Sequence, residues 1–61
     1  MSYTVHEFVE KLVLELGDFA HDISAIQLMA KEVYGGALNE ALVWFIRDEV
    51  CRELYRRNSN V

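Results

Sequence analysis

The side chains of this sequence that could do chemistry are two histidines, several carboxylates and one thiol. His6 and Glu10 stand four residues apart, a spacing at which a carboxylate on the same helix face can orient an imidazole for acid–base work. His21 stands near Asp18 and Asp22, and a histidine among carboxylates in a turn is a candidate metal site. Each group also has a structural explanation, a solvent-exposed ion pair in the first case and helix-capping aspartates in the second. We expect the structural explanation for both.

The thiol and the glycines indicate no further site. Cys51 is the one cysteine, so it forms no disulfide within the chain and belongs to no zinc-binding cysteine cluster. No base stands beside it in sequence, and its apolar neighbours indicate an inert, buried thiol. The alternative is a disulfide between two chains of a dimer under oxidation, with Arg47 and Arg52 nearby. Gly35 and Gly36 match neither the G-x-x-x-x-G-K nor the G-x-G-x-x-G phosphate-binding pattern. The sequence therefore predicts a non-enzymatic protein with no catalytic residues, metal or cofactor.

Length and composition indicate that the chain needs help to be stable. Its 61 residues make one small domain, residues 1–61, and a domain of this size buries only ~60% of the surface that its unfolded chain exposes. Disulfides, a metal or association with another chain usually supply the missing stability. Since the first two are not expected, and since 52% of the residues are hydrophobic, association is the predicted solution.

The charge balance excludes several classes of partner. The net charge is −4, whereas nucleic-acid binding depends on lysines and arginines that displace phosphate counterions. The same balance disfavours anionic membrane surfaces. No apolar run approaches the ~20 residues of a membrane span, and the N-terminus lacks the pattern of a secretory signal. We expect a soluble, cytoplasmic protein.

The first helix is predicted over residues 5–16. Thr4 and Glu7 have the spacing of a capping box, in which each side chain accepts a hydrogen bond from the backbone N–H of the other residue. Gly17 follows as a residue that can take the left-handed conformation that ends helices. One apolar face is expected along this helix, made of Val5, Phe8, Val9, Leu12, Val13 and Leu16.

The second helix is predicted over residues 25–34. Ser24 and Gln27 repeat the capping-box spacing. Asp18 and Asp22 are competing N-caps, so the residues between the two helices form a loop or a short extra turn. The apolar face of this helix is expected to consist of Ile26, Met29, Ala30 and Val33.

The third helix is predicted over residues 37–57 and follows two glycines that let the chain reverse. It could also begin at Gly36, or at Asn39 acting as a cap. The run ALVWFI at residues 41–46 could instead form a buried strand, because its β-branched and aromatic residues favour sheets. The helix-forming residues on both sides, with favourable i,i+4 ion pairs after the run, favour the helix. The sequence therefore predicts an all-α, three-helix domain with a long C-terminal helix.

The third helix carries more apolar surface than two short helices can cover. At 100° per residue, Leu38, Ala41, Leu42 and Phe45 share one side, which is expected to face the first two helices. The other side would then face water as one patch larger than monomers usually expose. We expect this patch to form the interface of a two-fold homodimer, with Val43, Trp44, Val50, Cys51, Leu54 and Tyr55 in it. Antiparallel packing would bring each arginine-rich C-terminal end toward a more acidic part of its neighbour.

A second surface is a candidate for a different partner. The carboxylates of the first half of the chain would favour a protein with a basic surface, although such residues also keep a protein soluble. This acidic face consists of Glu7, Glu10, Glu15, Asp18 and Asp22. The predicted function is therefore protein–protein interaction, as a regulator, inhibitor or adaptor, a type of protein also found among accessory products of phages and mobile elements.

The alternative function is DNA binding by a dimeric regulator. The segment LMAKEVYGGALNEALVWFIRDEV resembles the helix–turn–helix half of ribbon-helix-helix proteins, with a helix, a glycine turn and a second helix. This resemblance implies a dimer that reads DNA with a short strand before the first of these helices. The matching residues 17–23, GDFAHDI, are acidic and do not alternate, so the reading strand is missing. An ordinary helix-turn-helix would use the apolar third helix for recognition, which suits a DNA groove poorly.

Overall fold

The computed structural model describes residues 4–59, which fold as three α-helices. They are α1 (Val5–Leu16), α2 (Ile23–Tyr34) and α3 (Glu40–Ser59), joined by single 3-10 turns at Gly17–His21 and Gly35–Ala37. The prediction of an all-α fold with three helices and a long C-terminal one is confirmed. The alternative strand at residues 41–46 is wrong, because those residues lie in the first turns of α3.

α1 begins and ends as its sequence predicts. The backbone N–H of Glu7 donates to Thr4 Oγ1 at 3.1 Å, and the backbone N–H of Thr4 donates to Glu7 Oε1 at 3.0 Å. Gly17 has φ 58° and ψ −128°, and its N–H donates to the carbonyl of Val13. The positive φ was expected, but this ψ lies outside the left-handed helical region, in a region that is open to glycine and strained for other residues.

α2 begins two residues before its predicted start. Its N-cap is Asp22, one of the two competing aspartates, whose Oδ1 accepts from the backbone N–H of Ser24 at 3.2 Å. The predicted Ser24 cap is therefore wrong, since Ser24 already lies within the helix. The alternative of a short extra turn before α2 is confirmed, and it carries Ala20 into the interior.

α3 begins later than predicted. Residues 35–37 form a 3-10 turn instead of the start of the helix, and Asn39 is the cap, with its Oδ1 accepting from the backbone N–H of Leu42 at 2.8 Å. The start at residue 37 is therefore wrong and the alternative cap at Asn39 is confirmed. The helix continues to Ser59, two residues beyond the predicted end.

The core forms where α3 lies against both shorter helices. α3 packs against α1 and α2, and the turn at Gly17–His21 fills the space beside α1. Phe8 and Tyr34 make an edge-to-face contact with ring centroids 5.5 Å apart. The buried side chains are Phe8, Val9, Leu12, Val13, Ala20, Ile26, Ala30, Val43, Ile46 and Val50.

The side of α3 that faces the core matches the predicted one only in part: Leu38 and Leu42 are partly buried and pack against the core, as expected. Val43 and Val50, which were expected in a dimer interface, are only 3% and 0% exposed within the single chain. Phe45, which was expected inside, is half exposed, and Ala41 is exposed as well. The reason is that Val43, Ile46 and Val50 form one stripe at helical spacing, whereas the stripe through Phe45 continues into charged residues.

Candidate protein–protein interface

The surface of α3 opposite the core carries three large aromatic side chains. Trp44 is 52% exposed, Phe45 50% and Tyr55 76%. They lie on one side of the helix together with a small residue and an ion pair. We call this surface the outer face of α3 and define it by Ala41, Trp44, Phe45, Asp48, Arg52 and Tyr55.

The predicted interface divides between this face and the core. Trp44 and Tyr55 are exposed on the outer face. Cys51 is a free thiol at the edge of the face and is half-buried. Leu54 is also half-buried and packs against the core cluster, as the fully buried Val43 and Val50 do. The residues of the predicted interface therefore do not form one surface.

Sequence reasoning missed Phe45, Asp48 and Arg52 as members of the outer face. The signal that could have found them is the stripe Val43–Ile46–Val50, whose spacing of three and four residues continues to Leu54. The three missed residues lie on the side of the helix opposite that stripe.

Several charged residues of α3 have partners on the same helix. The guanidinium of Arg52 lies 3.0 Å from Asp48 Oδ2 and 3.4 Å from Glu49 Oε1. The guanidinium carbon of Arg47 lies 5.7 Å from the ring centroid of Trp44, within the range of a cation–π contact. Both Asp48 and Arg52 remain largely exposed to solvent, so other groups can reach them.

Glu53 holds the C-terminal arginines beside the outer face. Its two carboxylate oxygens accept from Arg56 at 2.6 Å and from Arg57 at 2.9 Å. Hydrogen bonding to Arg57, with a smaller contribution from Arg56, lowers the pKa of the Glu53 carboxyl below its ordinary value. This cluster fixes two cations on the last turns of α3, where they also favour the negative end of the helix dipole.

A cleft of about 340 Å³ runs between α1 and α3, next to the outer face. Phe45, Arg52 and Arg56 form its α3 wall together with Glu49 and Glu53, and its α1 wall consists of Val5, His6 and Val9. His6 Nε2 lies 3.2 Å from Glu10 Oε1, and both side chains are exposed, which confirms the predicted solvent-exposed pair. The polar side chains of this cleft thus contact partners on their own helices.

The acidic face is exposed, and most of its carboxylates have partners within the chain. Glu7 belongs to the capping box, and hydrogen bonds from Thr4 lower the pKa of its carboxyl. Glu10 pairs with His6, Glu15 lies 3.9 Å from Lys11, and Asp22 caps α2. Four of the five members therefore have a local structural role.

Neither a metal-ligand cluster nor a membrane-spanning helix is present in residues 4–59. Within residues 4–59, no group of three or more histidine, cysteine, aspartate or glutamate side chains is arranged to hold a metal ion. None of the helices formed by these residues combines the length and the apolarity needed to cross a bilayer. Comparison with protein-family models, with curated proteins and with solved structures finds no match to this chain.

Proposed function

We propose that this chain is a non-enzymatic protein-binding module, a regulator, inhibitor or adaptor, that associates with a second copy of itself through α3. The observation that supports this proposal is the cluster of Trp44, Phe45 and Tyr55 on one exposed side of a single helix. Aromatic side chains of these types are enriched at the energetic centres of protein interfaces. The outer face replaces the interface predicted from sequence, because Val43 and Val50 serve the core.

The energetics favour covering this surface. A fully covered aromatic side chain buries ~150–250 Å², so the three rings leave roughly 350 Å² exposed at their present exposures. At ~25 cal/mol per Å², covering that area is worth about 9 kcal/mol per chain before the losses of association are subtracted. Those losses are estimated at ~4–15 kcal/mol for a complex. Two such faces together gain about 18 kcal/mol. The remainder after these losses, about 3–14 kcal/mol, includes the ~8 kcal/mol of a micromolar dimer.

The test is the dependence of molecular mass on concentration. Sedimentation equilibrium of the wild type should show a monomer–dimer equilibrium, and Tyr55→Ser or Trp44→Ser should shift it toward the monomer. Leu28→Ser is the matched control, because Leu28 is an equally exposed apolar residue on α2. A wild type that stays monomeric up to about 1 mM would refute the self-association, since that limit corresponds to only ~4 kcal/mol.

A second partner through the acidic face is supported by Leu14, which is exposed on α1 beside a shallow depression. The depression is lined by Leu14, Glu7, Glu10, Lys11 and Glu15. An apolar side chain among carboxylates suits a partner that is basic around an apolar contact. In affinity capture, Glu10→Lys should lose a partner that the wild type and Tyr55→Ser both retain.

DNA binding stays the alternative function. The resemblance to ribbon-helix-helix proteins requires a strand at residues 17–23, and these residues form a 3-10 turn and the beginning of α2. The outer face of α3 would also place three aromatic side chains against a groove. A labelled duplex at low salt discriminates between the two functions: a DNA-binding protein shifts its anisotropy and releases it as salt rises, and the proposed module leaves it unchanged.

A further inference from the structure

The outer face of α3 has an internal symmetry about the level of residue 50. Phe45 and Tyr55 each lie five positions from residue 50, and Asp48 and Arg52 each lie two positions from it. At ~100° per residue, Phe45 and Tyr55 fall about 40° to either side of the centre line of the face. Asp48 and Arg52 fall about 20° to either side of that line. Aromatic groups thus correspond to each other across the centre, and a negative charge corresponds to a positive one.

We propose that two copies of the chain pack their outer faces antiparallel, about a two-fold axis that crosses the outer face at the level of residue 50, opposite the buried Val50 side chain. This inference rests on the proposed function and specifies its partner, contact residues and orientation. The arrangement brings Asp48 of each chain opposite the partner's Arg52. It also places Tyr55 of each chain against the partner's Trp44 and Phe45.

Charge complementarity favours this orientation over a parallel one. In a parallel two-fold pair, Asp48 would face the partner's Asp48 and Arg52 would face the partner's Arg52. Like charges would therefore oppose each other at two places. It would also separate Tyr55 from the partner's Phe45 by ten residues, or about 15 Å along the helix. The antiparallel pair replaces both repulsions with attractions and sets the two helix dipoles in opposite directions.

Asp48 and Arg52 can contact a partner chain while they keep their contact with each other. Asp48 and Arg52 are bonded to each other at 3.0 Å while their side chains remain 59% and 71% exposed. A guanidinium has five N–H donors in a planar fork, so Arg52 can hold its own helix's carboxylate and the partner's at once. The pair therefore contributes to a two-fold contact without first being broken.

The cleft between α1 and α3 extends the contact beyond the central line. Under the same two-fold operation, the partner's Phe45 reaches the level of residue 55, on the side of α3 that faces α1. Arg52 and Arg56 form the wall of the cleft at that level. A phenyl ring beside two guanidinium groups is a favourable cation–π arrangement. The cleft thus has a defined occupant in the dimer.

The area is consistent with a reversible dimer. Two copies of the aromatic cluster contribute roughly 700 Å², whereas stable interfaces bury ~1,200–2,000 Å² in total. Ala41, the ion pairs and the walls of the cleft must supply about half of the interface. Such an interface lies at the small end of the range, and its dissociation should be measurable at accessible protein concentrations.

The first test reverses the charges. Asp48→Arg should raise the dimer dissociation constant about tenfold, because two exposed ion pairs become repulsive. The double variant Asp48→Arg/Arg52→Asp restores opposite charges across the axis and should return the constant to about the wild-type value. Lys11→Glu is the matched control, since it breaks an exposed i,i+4 pair on α1. A dimer that Asp48→Arg leaves unchanged would overturn the proposed contact.

The second test measures orientation with spin labels on Glu40→Cys in a Cys51→Ala background. In the antiparallel dimer the two labelled positions are separated by 20 residues along the helix axes, or about 30 Å. In a parallel dimer the separation is close to the interaxial distance of ~10 Å. A short distance in a dimeric protein would refute this inference and leave the proposed function standing. A wild type that is monomeric throughout would instead refute the proposed self-association.

Discussion

Phe45 and Ile46 are neighbours in sequence and lie about 100° apart around α3. Phe45 belongs to the outer face and Ile46 to the core, so replacing each with alanine separates the two roles of this helix. Ile46 is fully buried in the core and Phe45 is half exposed on the outer face. The two changes therefore compare a core contact with a surface contact at nearly the same position along one helix.

The expected costs follow from this difference in burial. Ile46→Ala removes three carbons, worth ~0.8 kcal/mol each in transfer free energy, and the cavity that remains raises the total to about 3 kcal/mol. The stability of a domain of this length is only ~3–9 kcal/mol, so the melting temperature should fall by about 12–24 °C. Phe45→Ala should cost the monomer about 1 kcal/mol or less, because half of its area is already in water and alanine favours the helix.

The assay is urea denaturation followed by far-UV circular dichroism at two protein concentrations. Ile46→Ala should lower the unfolding midpoint at both concentrations. Phe45→Ala should lower it mainly at the higher concentration, where formation of the dimer adds to the stability of the folded chain. If Ile46→Ala does not fold, Ile46→Val with an expected loss of about 1 kcal/mol takes its place. Equal losses for the two alanine variants in the monomer would refute the assignment of the two sides of α3.

Three further predictions concern the backbone and the C-terminal ion pairs. Gly35→Ala should destabilise the chain by ~1–3 kcal/mol in thermal denaturation, because Gly35 has a φ of 56°. Gly36→Ala is the control and should be close to neutral, because Gly36 has no positive φ and an added Cβ would meet no other atom. Asn39→Ala should cost ~1 kcal/mol by loss of the cap of α3 in the same assay, and Asn39→Asp should retain it. The pKa of the Glu53 carboxyl is lowered in the folded chain. The ionised carboxylate therefore stabilises the fold above the ordinary pKa of 4.5, and this stabilisation is lost as the pH falls below 4.5 through the lowered pKa. Glu53→Gln and Arg57→Gln should each reduce this acid dependence of the urea midpoint, and a double variant that is fully additive would contradict the coupling.

The features that the sequence predicted correctly are those that depend on residues close together in the chain. The capping box of Thr4 and Glu7 closes within one turn, so its spacing suffices to specify it. The helix ends at Gly17 and Gly35 follow from the freedom of glycine to adopt a positive φ. The pairing of His6 with Glu10 likewise needs only the geometry of one helix.

The choice between competing caps depended on packing as well as on spacing. Ser24 and Asp22 were both acceptable caps for α2 by local pattern. Beginning the helix at Ile23 lets that side chain pack against the core, and the preceding turn buries Ala20. The tertiary contacts therefore select Asp22, because a helix that began later would leave these apolar groups less well covered.

Which side of α3 faces inward was decided by the tertiary structure alone. Residues 41–46 are apolar on every side of the helix, so periodicity within this run does not choose a direction. Packing against α1 and α2 at once requires an apolar stripe that extends along the helix, and Val43, Ile46 and Val50 provide it. The stripe through Phe45 reaches charged residues after one turn, and burying those charges would cost more than burying Phe45 gains. The sequence by itself determined three amphipathic helices and an excess of apolar surface, and the fold decided which part of that surface is left for a partner.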